Sequence, residues 1–551
     1  MTTSRREFVA GLAAAGAALP GLDRIRLLDA PGLSAFARPS AAQLAWQDLE
    51  LGMFIHFGPN TWQEQEYDDR TTPLDAMNPD IETDQWVETA VGMGARYIVM
   101  VAKHQGGFCW WQTETTDYSV RRIPWRNGRG DVMADLARSC AARGMKLGVY
   151  LSPRDDSAGA GGSGRCATPE AQEAYDRLYR QQLTELLTRY GPIMELWLDG
   201  SSVVPTIDLV HRYAPDAMIF QGPNATIRWV GNEDGFAPYP CWNSLAAIDA
   251  GTGVATSMHG DPLGDRWMPV EVDVSLRRPN WFWSTTNHAN LLSLDQLIEI
   301  YYRSVGRGAQ LLLNVTPDRT GHVPQTDVDR LAEFGGEIRR RFARSVAETS
   351  GTRRELHLDL GGRRRVDHVI LQEHLREGER VRAWRLEGEA GTAWRALAEG
   401  SAIGHKRLQP IEPAELSALR LTVTRAEGEP WIRRLAALDV GSPPPPTWND
   451  PVNLWADDAA GRWTDGQVEI DLAPRLETSG SYRVRLVAQS GTPVVLGGAM
   501  LELDGEPAAE ALERDGSRSD VFHVSVTGSP ASAVLRGAAN LPQGTVLVRR
   551  E

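Results

Sequence analysis

Cysteine is scarce, with four in 551 residues: Cys109, Cys140, Cys166 and Cys241. None belongs to a Cys-x-x-Cys pair and no zinc-ligand spacing occurs. Neither a disulfide framework nor a zinc site is demanded, and free thiols are expected. Long apolar runs are missing too. No segment reaches about 18 consecutive apolar residues, so no membrane span is expected. Positive charge is in deficit: 58 Lys and Arg against 72 Asp and Glu leave a formal net charge of -14. Without a basic excess, a nucleic-acid backbone is not the expected partner. No internal repeat stands out. Phe and Tyr are few, 11 and 12, against 18 Trp. Most Trp fill cores, but a flat face with one polar handle also suits a ring-shaped ligand such as a sugar.

The composition, 42% hydrophobic and 24% charged, is that of a soluble globular chain, and the length suggests roughly three or four domains. The opening MTTSRREFVAGLAAAGAALPG pairs Arg5 and Arg6 with a short, weak apolar run. Ser4 to Phe8 match a twin-arginine signal, with Ala35-Phe36-Ala37 as a candidate cleavage site. Residues 1–37 are therefore read as a signal segment and the protein as exported, to the periplasm or outside the cell.

Short apolar runs at 51–58, 95–104, 145–153, 193–200, 217–223, 227–233 and 309–317 alternate with helical patterns at 131–144, 169–191 and 294–306. Asp131 is a good N-cap and Gly144 a good C′ residue. The alternation predicts a (β/α)₈-type barrel over 44–345, with its site at the C-terminal ends of the strands. His56, Lys103, His104, Asp199 and Glu233 all fall at such ends. From 346 the period drops to two, which predicts a β-sandwich over 346–441. A Pro-rich linker follows at 442–446, then a second β-rich, sandwich-like module over 447–551.

Asp199 in LWLDG and Glu233 in VGNE form a carboxylate pair on strand ends read as near neighbours. Glycosidic hydrolysis needs two such groups, one to attack or activate the attacker and one to protonate the leaving oxygen. Glu271 and Asp273, in MPVEVDVS, are a rival pair read as structural at a strand end. Arg277 and Arg278 are expected to pair with carboxylates. The glycine-rich GGSGRC (161–166) lacks phosphate-loop spacing and suits a flexible active-site loop. His211, His259, His288 and His322 are read as surface or hydrogen-bonded residues.

Seven motifs, in order, resemble glycoside hydrolase family 29, the retaining α-L-fucosidases, and especially the 1,3/1,4-linkage branch. They are LGMFIHFGPNTW (51–62), ARYIVMVAKHQGGFCWWQTETTDYSV (95–120), MKLGVYLSPRD (145–155), YGPIMELWLDG (190–200), IRWVGNEDG (227–235), VDVSLRRPNWFW (272–283) and IYYRSVGRGAQLLLNVTPDRTG (300–321). The resemblance implies that Asp199 is the nucleophile and Glu233 the acid/base. It implies that His56, Glu66 and His104 hold sugar hydroxyls and that Trp281 is a wall of the sugar pocket. Where the family has His-His-Asp-Gly, this chain has His104-Gln105-Gly106-Gly107. Gln105 can hydrogen-bond a hydroxyl but cannot titrate.

The implied function is an exported, retaining exo-α-L-fucosidase that needs no metal or cofactor. It would remove α-1,3/1,4-linked fucose from branched glycans, so its partner is a fucosylated oligosaccharide. Two alternatives stand beside it: another retaining α-L-glycosidase on the same scaffold, or a non-catalytic glycan-binding protein.

Overall fold

A computed structural model describes residues 37–551, apart from 246–258, Leu263 and short stretches within 450–551. The signal segment expected at 1–37 thus lies outside the described residues except for Ala37. Eight parallel strands form one sheet: β1 (Leu51–Ile55), β2 (Tyr97–Lys103), β3 (Lys146–Leu151), β4 (Ile193–Trp197), β5 (Met218–Phe220), β6 (Arg228–Trp229), β7 (Val270–Ser275) and β8 (Gln310–Asn314). Their spatial order is β5-β4-β3-β2-β1-β8-β7-β6. A parallel bridge from Phe220 to Ile227 joins the two ends, so the barrel nearly closes.

Seven of these strands are the seven apolar runs. The eighth, β7, reads in the sequence only as a strand end, because Glu271 and Asp273 interrupt its apolar pattern. Both acids are buried inside the barrel. The expected helices appear as α3 (Val132–Arg143), α4 (Pro169–Arg189) and α6 (Leu294–Arg303), alongside α1 (Ala41–Gln47), α2 (Thr83–Met93), α5 (Ile207–Tyr213) and α7 (Gln325–Phe342). The Asp131 side chain caps α3 by accepting from the Ala134 N–H, and Gly144 ends it at φ 67°. Among the described residues no helix lies between β5 and β6 or between β6 and β7.

The strands are buried on both faces, as a helix-wrapped parallel sheet requires. Outward residues such as Met53, Ile98, Val149, Leu196, Val272 and Leu313 pack against the helices. Inward residues form a separate aromatic core of Trp46, Phe54, Tyr97, Tyr150, Trp197 and Phe220. Two glycines make that filling fit. A Cβ on Gly52 would lie 2.2 Å from the Tyr97 ring, and one on Gly148 would press on Val99 and Glu195 at 3.0 and 3.1 Å.

The following module is a six-stranded antiparallel sheet in the order β9-β14-β10-β13-β11-β12. Its strands are β9 (Ala347–Gly351), β10 (Glu355–Glu373), β11 (Val381–Ala390), β12 (Ala393–Gly400), β13 (Arg407–Ala426) and β14 (Ile432–Leu438). β10 and β13 are 19 and 20 residues long and shift register near Asp359 and Val366. Such irregularities bend long strands so that they fold over their own core, here Leu358, Val369, Trp384, Leu421 and Leu435. The Pro-rich segment is fastened rather than free: Arg341 donates to the Pro443 carbonyl at 3.1 Å. Beyond it lie two five-stranded antiparallel sheets around Ile470, Val484, Phe522 and Leu535. Among the described residues no helix is long and apolar enough to cross a membrane.

Candidate active site

Parallel strands all end at one rim, so residues just past their ends converge there. His56 follows β1, His104 follows β2 and Asp199 lies two residues past β4. Glu233 departs from the expected strand end. β6 stops at Trp229, Gly231 turns at φ 91°, and the Asn232 side chain closes a loop onto Phe236 O at 2.9 Å. Nor are β4 and β6 neighbours, since β5 separates them. Both carboxyl groups still stand beyond the strand ends at the mouth, and the charge of Asp199 raises the pKa of Glu233.

Asp199 is half-buried, and Tyr150 Oη donates to its Oδ2 at 3.0 Å. Burial raises its pKa, and the Tyr150 bond works against that by favouring the carboxylate. The Tyr150 ring is itself held between His104 and Trp197, at centroid distances of 5.7 and 6.2 Å. Tyr150 escaped the sequence reading because nothing in MKLGVYLSP marks one apolar-strand tyrosine as inward and polar-ended.

Glu233 and Glu66 meet on Trp281. The Trp281 backbone N–H donates to Glu66 Oε2 at 3.1 Å, its side chain hydrogen-bonds Glu233, and its carbonyl accepts from Asn314 Nδ2 at 2.9 Å. Burial raises the pKa of Glu233, with Arg278 opposing and Asp199 assisting. Burial pushes Glu66 up to about 7, with help from Glu233 and Asp199. Three carboxyl groups thus crowd one mouth and cannot all be ionised cheaply.

The histidines stay neutral. Burial, with His104 nearby, holds His56 well below the usual imidazole range, and burial with Arg154 takes His104 down to about 3. His56 Nδ1 lies 2.8 Å from Asn314 Oδ1. The Asn314 amide nitrogen already donates to Ser275 Oγ and Trp281 O, so its oxygen must accept and His56 carries its proton on Nδ1. The Nε2 of His56 is then an acceptor, able to receive a hydroxyl proton. Among the described residues, His104 Nδ1 and Gln105 Oε1 are buried without a hydrogen-bond partner. Rings of His56, Trp281, Phe282, His104 and Tyr150 pack against one another at the mouth.

Below the mouth the barrel interior is acidic. Alternation along β4 turns Glu195, Trp197 and Asp199 inward, and along β7 Glu271 and Asp273. Trp197 Nε1 donates to Glu195 Oε1 at 2.8 Å and Glu271 Oε1 at 3.0 Å. Trp46 Nε1 and Tyr97 Oη complete the cage at 2.6 and 3.0 Å. No cation lies among these contacts, so burial raises both pKa values and the pair retains a proton. Glu271 is therefore structural. Asp273, held by Trp229 Nε1 at 2.6 Å, is the rival acid that reaches the mouth: burial raises its pKa, and Glu233 and Asp199 add to it.

This buried pair sets a pH dependence of stability. The folded chain binds these protons more tightly than the ordinary Glu value of 4.5. It therefore holds more protons than the unfolded chain above that pH, and stability falls as pH rises. Glu271→Gln removes one titrating group and is expected to flatten the fall in melting temperature between about pH 5 and about pH 8. A slope equal to that of the parent would show that other groups set it.

The remaining candidates are held by partners of their own. Lys103 is fully buried against Asp155 at 2.8 Å. Arg277 is paired with Asp327 through Nε at 2.9 Å, and Arg278 with Asp234 at 3.1 Å. In the glycine-rich loop, Ser163 donates to the Gly200 carbonyl at 2.7 Å, which ties the loop to the turn after Asp199. His322 lies 3.7 Å from Glu82 and His259 Nδ1 bonds the Pro240 carbonyl. All four cysteines are free.

A parallel barrel with paired carboxyl groups among aromatic rings and neutral, hydroxyl-ready side chains defines a glycoside hydrolase. Residues 63–340 match the family model described as alpha-L-fucosidase. The chain is 33% identical to alpha-L-fucosidase 1 of Arabidopsis thaliana, over 72% of its own length and 86% of that protein's. Among solved structures it resembles a glycoside hydrolase 29 family member from an unknown rumen bacterium (27% identity, TM-score 0.68, 94% of this chain and 100% of that one). A Ruminococcus gnavus family 29 fucosidase in complex with fucose is also similar (27% identity, TM-score 0.66, 74% and 96%). The chain belongs to the α-L-fucosidases of glycoside hydrolase family 29 and is an enzyme of that class.

Proposed function

We propose that the chain is an exported, retaining exo-α-L-fucosidase that releases α-1,3/1,4-linked fucose from branched glycans. The observation that carries this reading is the carboxyl pair Asp199 and Glu233 in one mouth, where the charge of Asp199 raises the pKa of Glu233. Asp199, aimed by Tyr150, attacks the anomeric carbon while Glu233 passes its proton to the glycosidic oxygen. The C–O bond to the glycan breaks, and its electron pair leaves with the departing hydroxyl. Esterified Asp199 has no charge, so one cause of the raised Glu233 pKa is gone. Glu233, left as a carboxylate by that proton transfer, therefore stays ionised and serves as base for the water that releases fucose. His56, His104, Gln105 and Glu66 meet the hydroxyl groups, and Trp281 walls the ring. The linkage branch rests on the VGNE motif around Glu233, and export on Ser4 to Phe8.

The test is incubation with a Lewis-type trisaccharide and with an α-1,2-fucosylated one, following free fucose and its initial anomer. Release of α-fucose from the first substrate alone is the expected result. Initial β-fucose would overturn retention, and equal release from both would overturn the linkage assignment. Gln105 supports a second reading, a related L-configured sugar. Turnover of another α-L-glycoside faster than the fucoside would favour it.

The pH profile carries its own prediction. Arg278 favours ionised Glu233, so removing its charge raises the pKa of the acid. Arg278→Gln is expected to move the alkaline limb of kcat/KM to higher pH, by up to about one unit. A limb that stays in place or moves down would detach that limb from Glu233.

A further inference from the structure

Asp199 stands two residues from the end of a five-residue strand, whereas beside Glu233 the barrel offers only an isolated bridge from Asp234 to Val274 of β7. Residues 230–243 contain neither helix nor strand, yet an acid/base must be held to within a fraction of an ångström. Further along, contacts from outside the barrel strands add to those with β6 and β7. Ala237 donates to Arg303 O at 2.7 Å and accepts from Arg307 Nη1 at 2.6 Å. Beyond Ala237, His259 and Arg228 hold Pro240 and Trp242 from within the barrel module, and the β-sandwich grips Tyr239 and Asn243.

Tyr239 Oη accepts from the Ser401 N–H at 3.0 Å and donates to the Ala402 carbonyl at 3.1 Å. The Arg407 guanidinium lies 3.9 Å over its ring. A Cβ on Gly400 would sit 2.3 Å from that hydroxyl, so the sandwich is shaped to receive it. Four residues on, Asn243 donates from its backbone N to Glu379 Oε2 at 2.8 Å and from Nδ2 to Oε1 at 2.7 Å. Glu379 is 4% exposed and spends both oxygens on this one residue. A paired, buried acceptor of this kind imposes geometry more than it adds stability.

We propose that Tyr239 and Glu379 are positioning residues for Glu233, and that the sandwich thereby serves the proton-transfer step as a brace for the acid/base loop. The proposal rests on the reading of Glu233 as the acid/base. Misplacing a proton donor harms only substrates whose leaving group needs the proton. A 2,4-dinitrophenyl fucoside leaves without it, whereas a sugar hydroxyl does not.

The experiment compares kcat/KM on a Lewis-type trisaccharide and on 2,4-dinitrophenyl α-L-fucoside for Glu379→Gln, Tyr239→Phe, their combination and Glu233→Gln. In the combined variant the trisaccharide value is expected to fall about tenfold or more, mostly in kcat, while the activated fucoside changes by less than about twofold. Tyr239→Phe removes a single oxygen, so it provides a folded variant with the same selective loss in smaller degree. A melting curve on each variant checks that the fold persists. Equal losses on both substrates, or none on either, would overturn the proposal while leaving Glu233 in its role, provided Glu233→Gln shows the selective loss. If Glu233→Gln itself is not selective, the acid/base reading falls and the brace falls with it.

Discussion

Asp199→Gly is expected to lower kcat/KM on any α-L-fucoside by at least about 10⁴-fold, because no other group can form the bond to the anomeric carbon. Glu66 and Asp273 cannot stand in. Burial pushes Glu66 up to about 7 and raises the pKa of Asp273 well above its ordinary value, so both favour the proton. The variant also leaves a space beside Tyr150 where azide can enter. With an activated aryl fucoside, azide would attack the anomeric carbon directly and give the β-fucosyl azide. Recovery of rate with that inverted product identifies the nucleophile. Full activity in the variant, or azide product of retained configuration, would remove Asp199 from the role.

Glu233→Ala is expected to cost about 10²- to 10⁴-fold on a natural glycan, the usual worth of a general acid, and far less on a dinitrophenyl fucoside. Here azide enters at the second step, against fucosyl-Asp199, and needs no base. Two inversions in sequence give the α-fucosyl azide. The two variants are thus told apart by the anomer of one product, independently of their rates. A Glu233→Ala enzyme that yields β-azide, or none with a substrate it still turns over, would move the acid/base role elsewhere. Asp273, whose charge environment is shared with Glu233 and Asp199, would then be the next candidate.

Much of the fold is legible along the chain because its signals are local. Alternating apolar runs and capped helices need only neighbours within a few residues, so α3 and α4 appear within two residues of where the pattern puts them. β7 is the instructive exception. Its acids read as polar interruption, and only closing the barrel makes an inward Glu271 tolerable, by bringing Tyr97, Trp197 and Glu195 around it. The same holds for Tyr150, which is an ordinary strand residue until β3 and β4 set its hydroxyl 3.0 Å from Asp199.

By itself the amino-acid order determined the barrel followed by β-rich modules, and it marked Asp199, Glu233, His56, Glu66, His104, Gln105 and Trp281 as residues to bring together. Strand-end position is a local property and marks His56, His104 and Asp199, while Glu66 and Trp281 stand out only through the family resemblance. Only the tertiary structure decided what state those side chains are in there. Their protonation depends on burial, on the distance to other charges and on which donors arrive from remote strands. The neutral Nδ1–H form of His56 follows from Asn314, 258 residues away, and the raised pKa of Glu233 is moderated by Arg278 and Trp281 on the loop after β7. Part of the hold on Tyr239 and Asn243 comes from a different module. No window on the sequence contains such pairs, since electrostatic and packing energies act through space.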